Sequence, residues 1–198
     1  MKRLILIASI MMLATGAYAQ HEVGSVTFQP KVGMNIATFT DDNEADPRFA
    51  FVVGTEFEYQ VTQKLSLSAG LLYSMQGARG DVSLDNYAPL KMTIKTNYIN
   101  IPLLANVYVA KGLAFKLGIQ PALNVESGFL IDDGPGGSLS DAGIDINEFD
   151  VAIPLGVSYE YKNFVVEGRY NLGLTKIYEH DASKHSVFQF TLGYKIDL

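Results

Sequence analysis

The sequence predicts an all-β fold: an eight-stranded antiparallel up-and-down transmembrane β-barrel with short periplasmic turns and long extracellular loops. Three observations lead there. Apolar residues recur at every second position, the connections between these stretches alternate between short and long, and the amino terminus reads as an export signal.

Lys2 and Arg3 supply a positive start, and Leu4 to Ala14 is an apolar stretch of signal-peptide length. It is shorter than the roughly 20 apolar residues a spanning helix needs. Ala17-Tyr18-Ala19 then has the A-x-A form of a cleavage site, placing the cut between Ala19 and Gln20. The expected organisation is a signal peptide over 1–19 and one barrel domain over 20–198. The 198 residues carry 15 Lys+Arg against 21 Asp+Glu, and losing Lys2 and Arg3 leaves 13 against 21, a mature net charge of −8. Such an acidic chain is unsuited to nucleic acid, whose phosphates need a basic surface. The absence of Cys excludes disulfide scaffolds, thiolate zinc sites, cysteine nucleophiles and Cys-anchored lipoproteins. Charged residues are 18%, below the roughly 25% of an ordinary soluble domain.

The strands follow in order. A first lies near 28–37. Phe49, Phe51, Val53, Thr55, Phe57, Tyr59 and Val61 then alternate with Gly54, Glu56, Glu58 and Gln60. Leu65, Leu67, Ala69, Leu71, Tyr73 and Met75 mark the third strand, and a fourth falls near 97–109. Leu113, Phe115, Leu117, Ile119, Leu123 and Val125 mark the fifth. Phe149, Val151, Ile153, Leu155, Val157, Tyr159 and Tyr161 form the sixth, the seventh lies near 164–176, and Phe188 to Leu198 close the series. Thr62-Gln63, Ala110-Lys111-Gly112 and Lys162-Asn163 are short turns. Thr38–Arg48, Gly77–Leu90, Ser127–Glu148 and Glu179–Lys184 are long polar connections. An even strand count with this alternation puts both termini and the short turns on the periplasmic side.

Alternation alone leaves open which face meets water. A soluble barrel turns its apolar face inward and an outer-membrane barrel turns it to lipid. The polar face here holds Gly33, Gly54, Gly70, Gly118, Gly156 and Gly173, suited to a crowded narrow interior. Aromatics gather at strand ends. Phe28, Tyr59, Phe115, Tyr159, Tyr161, Phe164 and Tyr194 fall at the periplasmic rim, and Phe49, Phe51, Tyr73, Phe149 and Phe188 at the outer one. Lipid is therefore the expected surround. The inward set then includes Lys31, Glu56, Glu58, Lys116, Glu126, Glu160, Glu167 and Arg169. An eight-stranded interior is just wide enough for side chains to fill, so these charges are expected to pair across a plugged lumen. Arg169 is the expected hub, because its planar fork can hold two carboxylates. Pro30, Pro102, Pro121 and Pro154 fall inside strands, where bulges are the expected accommodation.

Laid out this way, the chain resembles the PorT-like "porin family" outer-membrane β-barrel domain common in the Bacteroides group. The resemblance rests on Lys31-Val32-Gly33-Met34-Asn35-Ile36, on Tyr98-Ile99-Asn100-Ile101-Pro102-Leu103-Leu104, and on Val166-Glu167-Gly168-Arg169-Tyr170-Asn171-Leu172-Gly173-Leu174. Thr191-Leu192-Gly193-Tyr194-Lys195-Ile196-Asp197-Leu198 resembles the insertion signal read by the barrel-assembly machinery, with Leu where an aromatic is more usual at the end. The resemblance implies location and fold, not a substrate.

No catalytic centre, cofactor or metal is expected. The mature chain has only His21, His180 and His185. His185 and Ser186 are adjacent and so face opposite ways on a strand. Arg79-Gly80-Asp81 reads as a turn. Asp132, Asp133, Asp141, Asp145, Glu148 and Asp150 lack calcium-loop spacing, and Gly134-Pro135-Gly136-Gly137 reads as a loop tip. The expected function is that of a monomeric structural or surface-interaction protein in outer-membrane lipid, meeting an unidentified surface partner through its loops. A narrow pore or transport accessory is the alternative, and a lipid-modifying enzyme a distant one.

Overall fold

The computed structural model describes residues 21–39, 46–82, 90–132, 138–140, 147–175 and 184–198. Ala19 and Gln20, with the expected signal peptide, lie outside the described residues. Eight strands span the molecule: β1 (Val26–Phe39), β2 (Asp46–Thr62), β3 (Leu65–Val82), β4 (Leu90–Asn100, continuing as Leu103–Ala110), β5 (Leu113–Asp132), β6 (Phe149–Tyr161), β7 (Phe164–Gly173) and β8 (His185–Tyr194, continuing as Ile196–Asp197). Each pairs antiparallel with the next. β1 also pairs with β8, from Lys31–Gly193 to Phe39–His185, so the sheet closes on itself. Closure removes the free edges that an open sheet would present to lipid.

The alternating pattern is buried the opposite way round from a soluble domain. Glu56 and Glu167 are 0% and 1% exposed, while Phe51 and Phe57 are 66% and 50% exposed. Val32, Met34, Leu67, Leu117, Ile119, Val157, Phe190 and Leu192 all point outward. An apolar band with a polar interior is stable only where the surround is hydrocarbon. At the periplasmic rim Phe28 packs on Phe57 (5.0 Å between ring centroids) and Phe164 on Tyr194 (5.1 Å). At the outer rim Tyr170 packs on Phe188 at 4.6 Å.

Pro30, Pro102, Pro121 and Pro154 are accommodated without bulges, contrary to expectation. Pro30 pairs with Thr55 of β2, and on its other side the β1–β8 ladder stops at Phe28–Ile196 and resumes at Lys31–Gly193. Pro154 pairs with Asn171 and fills a gap in the β5–β6 ladder between Leu117–Leu155 and Gln120–Ala152. Pro102 separates the two segments of β4. Pro121 stands opposite that break, its carbonyl accepting the Ile101 N–H at 2.8 Å. Pairing resumes in register each time. A missing N–H forfeits one ladder bond, and the flanking pairs hold the alignment without an extra residue. The register shifts lie elsewhere, at Pro47/Val52, Gln60/Thr62, Asn97/Tyr98 and Tyr108/Ala110.

The outer hairpins run further than the apolar alternation does. β3 extends to Val82, β4 begins at Leu90 and β5 reaches Asp132, where Ser138–Ser140 pairs back onto Phe129–Ile131. Beyond the bilayer the ladder needs no apolar face, so periodicity stops before pairing does. Arg79-Gly80-Asp81 is consequently extended strand opposite Thr93, Met92 and Lys91, not the expected turn. Asp133 and Gly134 to Gly137 lie outside the described residues, as do Asp141, Asp145 and His180. The seventh strand, expected near 164–176, stops at Gly173.

Leu117 sits near the middle of the exposed apolar stretch of β5 and is 54% exposed. Leu117→Arg is expected to lower folding stability in phosphatidylcholine vesicles by about 2–4 kcal/mol. The check is a denaturant titration of folded and unfolded band intensities. A loss below about 0.5 kcal/mol, the level of an ordinary surface substitution, would contradict a lipid-facing position.

Candidate functional site: the charged lumen

Five charged side chains meet near the middle of the lumen. Lys31 Nζ lies 2.7 Å from Glu56 Oε2 and 3.2 Å from Glu167 Oε2. Lys116 Nζ lies 2.8 Å from Glu56 Oε1 and 2.9 Å from Glu167 Oε2. Arg169 Nη2 reaches Glu56 Oε2 at 3.3 Å and also pairs with Glu167 Oε1. Each carboxylate is thus held by three cations. Arg169 does bridge both, yet Lys31 and Lys116 bridge them too, so the hub expected at Arg169 is shared among three residues.

The strand register explains how long side chains fit in so narrow a space. Lys31 stands opposite Gly54 on one side and Gly193 on the other. Glu56 pairs with Gly70, and both Lys116 and Arg169 pair with Gly156. Lys31 thus has glycine on both sides, while Glu56, Lys116 and Arg169 each have glycine on one side and a polar side chain, Gln29, Asn106 and Gln189, on the other. Gly54 has a second reason to be glycine: a Cβ there would run into the Leu71 carbonyl of the adjoining strand.

A second cluster lies toward the periplasmic turns. Lys195 Nζ is 2.9 Å from Glu58 Oε2 and 2.9 Å from Glu160 Oε2. Glu58 Oε1 accepts hydrogen bonds from Ser66 Oγ (2.6 Å) and from the Tyr108 hydroxyl. Lys195 also donates to Tyr108 at 3.2 Å. His21 Nε2 lies 3.0 Å from Glu160 Oε1, and its Nδ1 lies 2.8 Å from Asp197 Oδ1. Across the two clusters, Lys31, Lys116, Arg169 and Lys195 balance Glu56, Glu58, Glu160 and Glu167, giving zero net charge.

Toward the outer mouth the lumen is mainly uncharged and polar, with the buried Asp150 carboxylate accepting a hydrogen bond from the Thr175 hydroxyl. Asn35 Nδ2 donates to Ser74 Oγ (2.9 Å) and to the Met75 carbonyl (2.8 Å). The Tyr98 hydroxyl and His185 Nε2 are 3.0 Å apart. Ser186 leaves His185 behind and meets the Tyr170 hydroxyl at 3.0 Å, so no His–Ser relay forms at this pair. Among the described residues, no group of three or more His, Asp or Glu side chains could hold a metal ion.

Seven of the eight charged residues read from the sequence fall in these clusters, namely Lys31, Glu56, Glu58, Lys116, Glu160, Glu167 and Arg169. Glu126 does not. It is exposed and accepts a hydrogen bond from Asn97 Nδ2 at 2.7 Å. Asn97 pairs with Glu126 but Tyr98 pairs with Asn124, so Val125 is an extra residue that breaks the alternation just before Glu126. Lys195 was missed although the parity of Phe188 to Leu198 points it inward. His21 precedes the first strand and carries no periodicity at all.

Residues 18–179 match the family of the outer membrane protein beta-barrel domain. The chain belongs to that family. It is an outer-membrane protein, seated in the lipid bilayer. Among solved structures, Ail, the attachment invasion locus protein of Yersinia pestis, is 11% identical over 88% of this chain and 100% of that one, with a TM-score of 0.45. Neisserial surface protein A is 14% identical over 87% and 97%, with a TM-score of 0.48. OprG from Pseudomonas aeruginosa is 13% identical over 89% and 97%, with a TM-score of 0.46. No curated protein sequence matches the chain.

Removing either shared carboxylate leaves three buried cations around one acid. Glu56→Gln and Glu167→Gln are each expected to cost about 3–5 kcal/mol of folding stability. Glu126→Gln, at an exposed site, is expected to change it by less than about 0.5 kcal/mol. Equilibrium unfolding in lipid vesicles reads all three. Equal losses at Glu56 and Glu126 would contradict the cluster.

Proposed function

We propose that this protein is a plugged, monomeric outer-membrane barrel that acts as a structural or surface-interaction element through its outer loops. The observation that carries the proposal is the ion network of Lys31, Glu56, Lys116, Glu167 and Arg169 that crosses the lumen. Moving an ion past Glu56 and Glu167 means separating charges that the low-dielectric interior binds strongly. The wall therefore serves to hold the outer hairpins at a fixed spacing above the membrane. We further propose export by the signal peptide over 1–19 with cleavage at Ala19–Gln20, insertion by the barrel-assembly machinery through the carboxy-terminal strand, and kinship with the PorT-like branch of the family.

A narrow pore is the second reading, and one observation favours it. The buried side-chain amides of Gln29, Asn100 and Gln189 have no hydrogen-bonding partner among the described residues. Such groups attract water, and a hydrated stretch would leave the charge clusters as the barrier to passage.

Planar-bilayer recording of the purified protein separates the two. The plugged barrel is expected to show no stable unitary conductance at moderate voltage and salt. Reproducible single-channel steps from the wild-type chain would overturn it in favour of the pore. A complementary test restores a deletion strain with the full chain or with residues 133–146 replaced by a Gly/Ser linker of equal length. Surface attachment lost with the envelope intact supports the interaction role, and envelope defects unrelieved by either chain would count against both roles.

A further inference from the structure

The periplasmic mouth is crossed by residues 21–25, which no part of the proposal above uses. The segment is a built turn. Ser25 donates through its backbone N–H and its hydroxyl to the Glu22 carbonyl, at 3.1 and 2.6 Å. Gly24 adopts φ 89°, a left-handed conformation that glycine takes without strain. Its N–H donates to the Gln60 carbonyl at 2.8 Å, and the Gln60 N–H donates to the Ser25 carbonyl at 3.0 Å. The turn is thereby fastened to the end of β2. His21, at its far end, reaches Glu160 of β6 and Asp197 of β8.

Both imidazole nitrogens face carboxylate oxygens, at 3.0 and 2.8 Å. A neutral imidazole has one N–H, so one of these contacts would set two lone pairs against each other. Only the imidazolium donates to both. We propose that His21 is a protonation-controlled latch: as imidazolium it pins the amino-terminal turn across the periplasmic mouth, and on losing its proton it frees the His21 end of the turn from β6 and β8, the backbone bonds to β2 remaining, and opens the Lys195–Glu160 pair to the periplasm. The proposal stands whether or not the lumen conducts.

The surroundings agree with this assignment. The Glu160 hydrogen bond and charge, with Asp197, hold the His21 proton above its ordinary pKa of 6.5, against burial and the repulsion of Lys195. Those are the charged groups facing the ring from β6 and β8, and Glu58 of β2 touches the set through Lys195. The sign follows from linkage. A raised folded-state pKa gives stability that is complete below 6.5 and is lost as pH rises through the folded value. The latch is therefore shut in mild acid and loosens toward alkaline pH.

The test is a pH titration of the mature full chain in lipid nanodiscs, following the imidazole nitrogens of His21 and the backbone amides of Glu22 to Ser25 by NMR. His21 is expected to titrate above 6.5, and the turn amides to shift with the same midpoint. Asp197→Asn, at a side chain 65% exposed, is expected to move that midpoint downward while leaving the barrel spectrum unchanged. In His21→Gln the turn amides are expected to lose the transition. A midpoint at or below 6.5, an unchanged midpoint in Asp197→Asn, or turn amides that ignore the titration would each overturn the latch.

Discussion

Closing eight strands into a ring sends every second side chain into a lumen with room for side chains and little else, and the pairing of charges there governs the rest of the structure. Once Lys31 and Lys116 point inward, Glu56 and Glu167 are needed between them, since an unpartnered buried charge costs several kcal/mol. Arg169 then completes a group in which each acid touches three cations. The excess positive charge at this level is offset by the excess of acid around Lys195 nearer the periplasm. The glycines follow from the same constraint. Gly54, Gly70, Gly156 and Gly193 stand beside charged residues, at positions where a Cβ would meet the adjoining strand's backbone or the packed side chains of Leu72, Pro102 or Gln29.

The opposite face obeys a different solvent. Hydrocarbon offers no hydrogen bonds, so the strands must satisfy one another, and a closed ladder does so for nearly every backbone group. Prolines interrupt this ladder locally and tolerably, because the neighbouring pairs keep the register through Pro30, Pro102, Pro121 and Pro154. The aromatic rims at Phe28–Phe57 and Phe164–Tyr194 mark where hydrocarbon gives way to headgroups on the periplasmic side.

How much of this was legible beforehand depended on whether a residue sat inside an unbroken period. Lys116 lies between Phe115 and Leu117, so its inward direction could be read directly, and the same holds for Glu56, Glu160 and Glu167. Glu126 looked equivalent but follows the unpaired Val125, and sequence gives no sign that an extra residue intervenes. Arg79-Gly80-Asp81 has the composition of a turn, yet the β3–β4 ladder carries it as strand, because pairing outside the membrane is set by the partner strand and not by apolar spacing. The partners within the lumen were beyond reach for a further reason. Which acid meets which base depends on the register of strands far apart in the chain, and only the closed ring sets Lys31 against Glu167 at 136 positions' separation.

The claim on which everything rests is that the charged face is inside and the apolar face meets lipid. Site-directed spin labelling tests it most directly, since the chain has no Cys of its own. Single cysteines placed in turn at positions 114 to 117 and at 119 of β5 would be labelled in reconstituted bilayers and probed with oxygen and with a water-soluble nickel chelate. High oxygen accessibility is expected at Phe115, Leu117 and Ile119, and low accessibility to both reagents at Ala114 and Lys116. Chelate access at 115, 117 and 119, or no alternation along the strand, would contradict the claim.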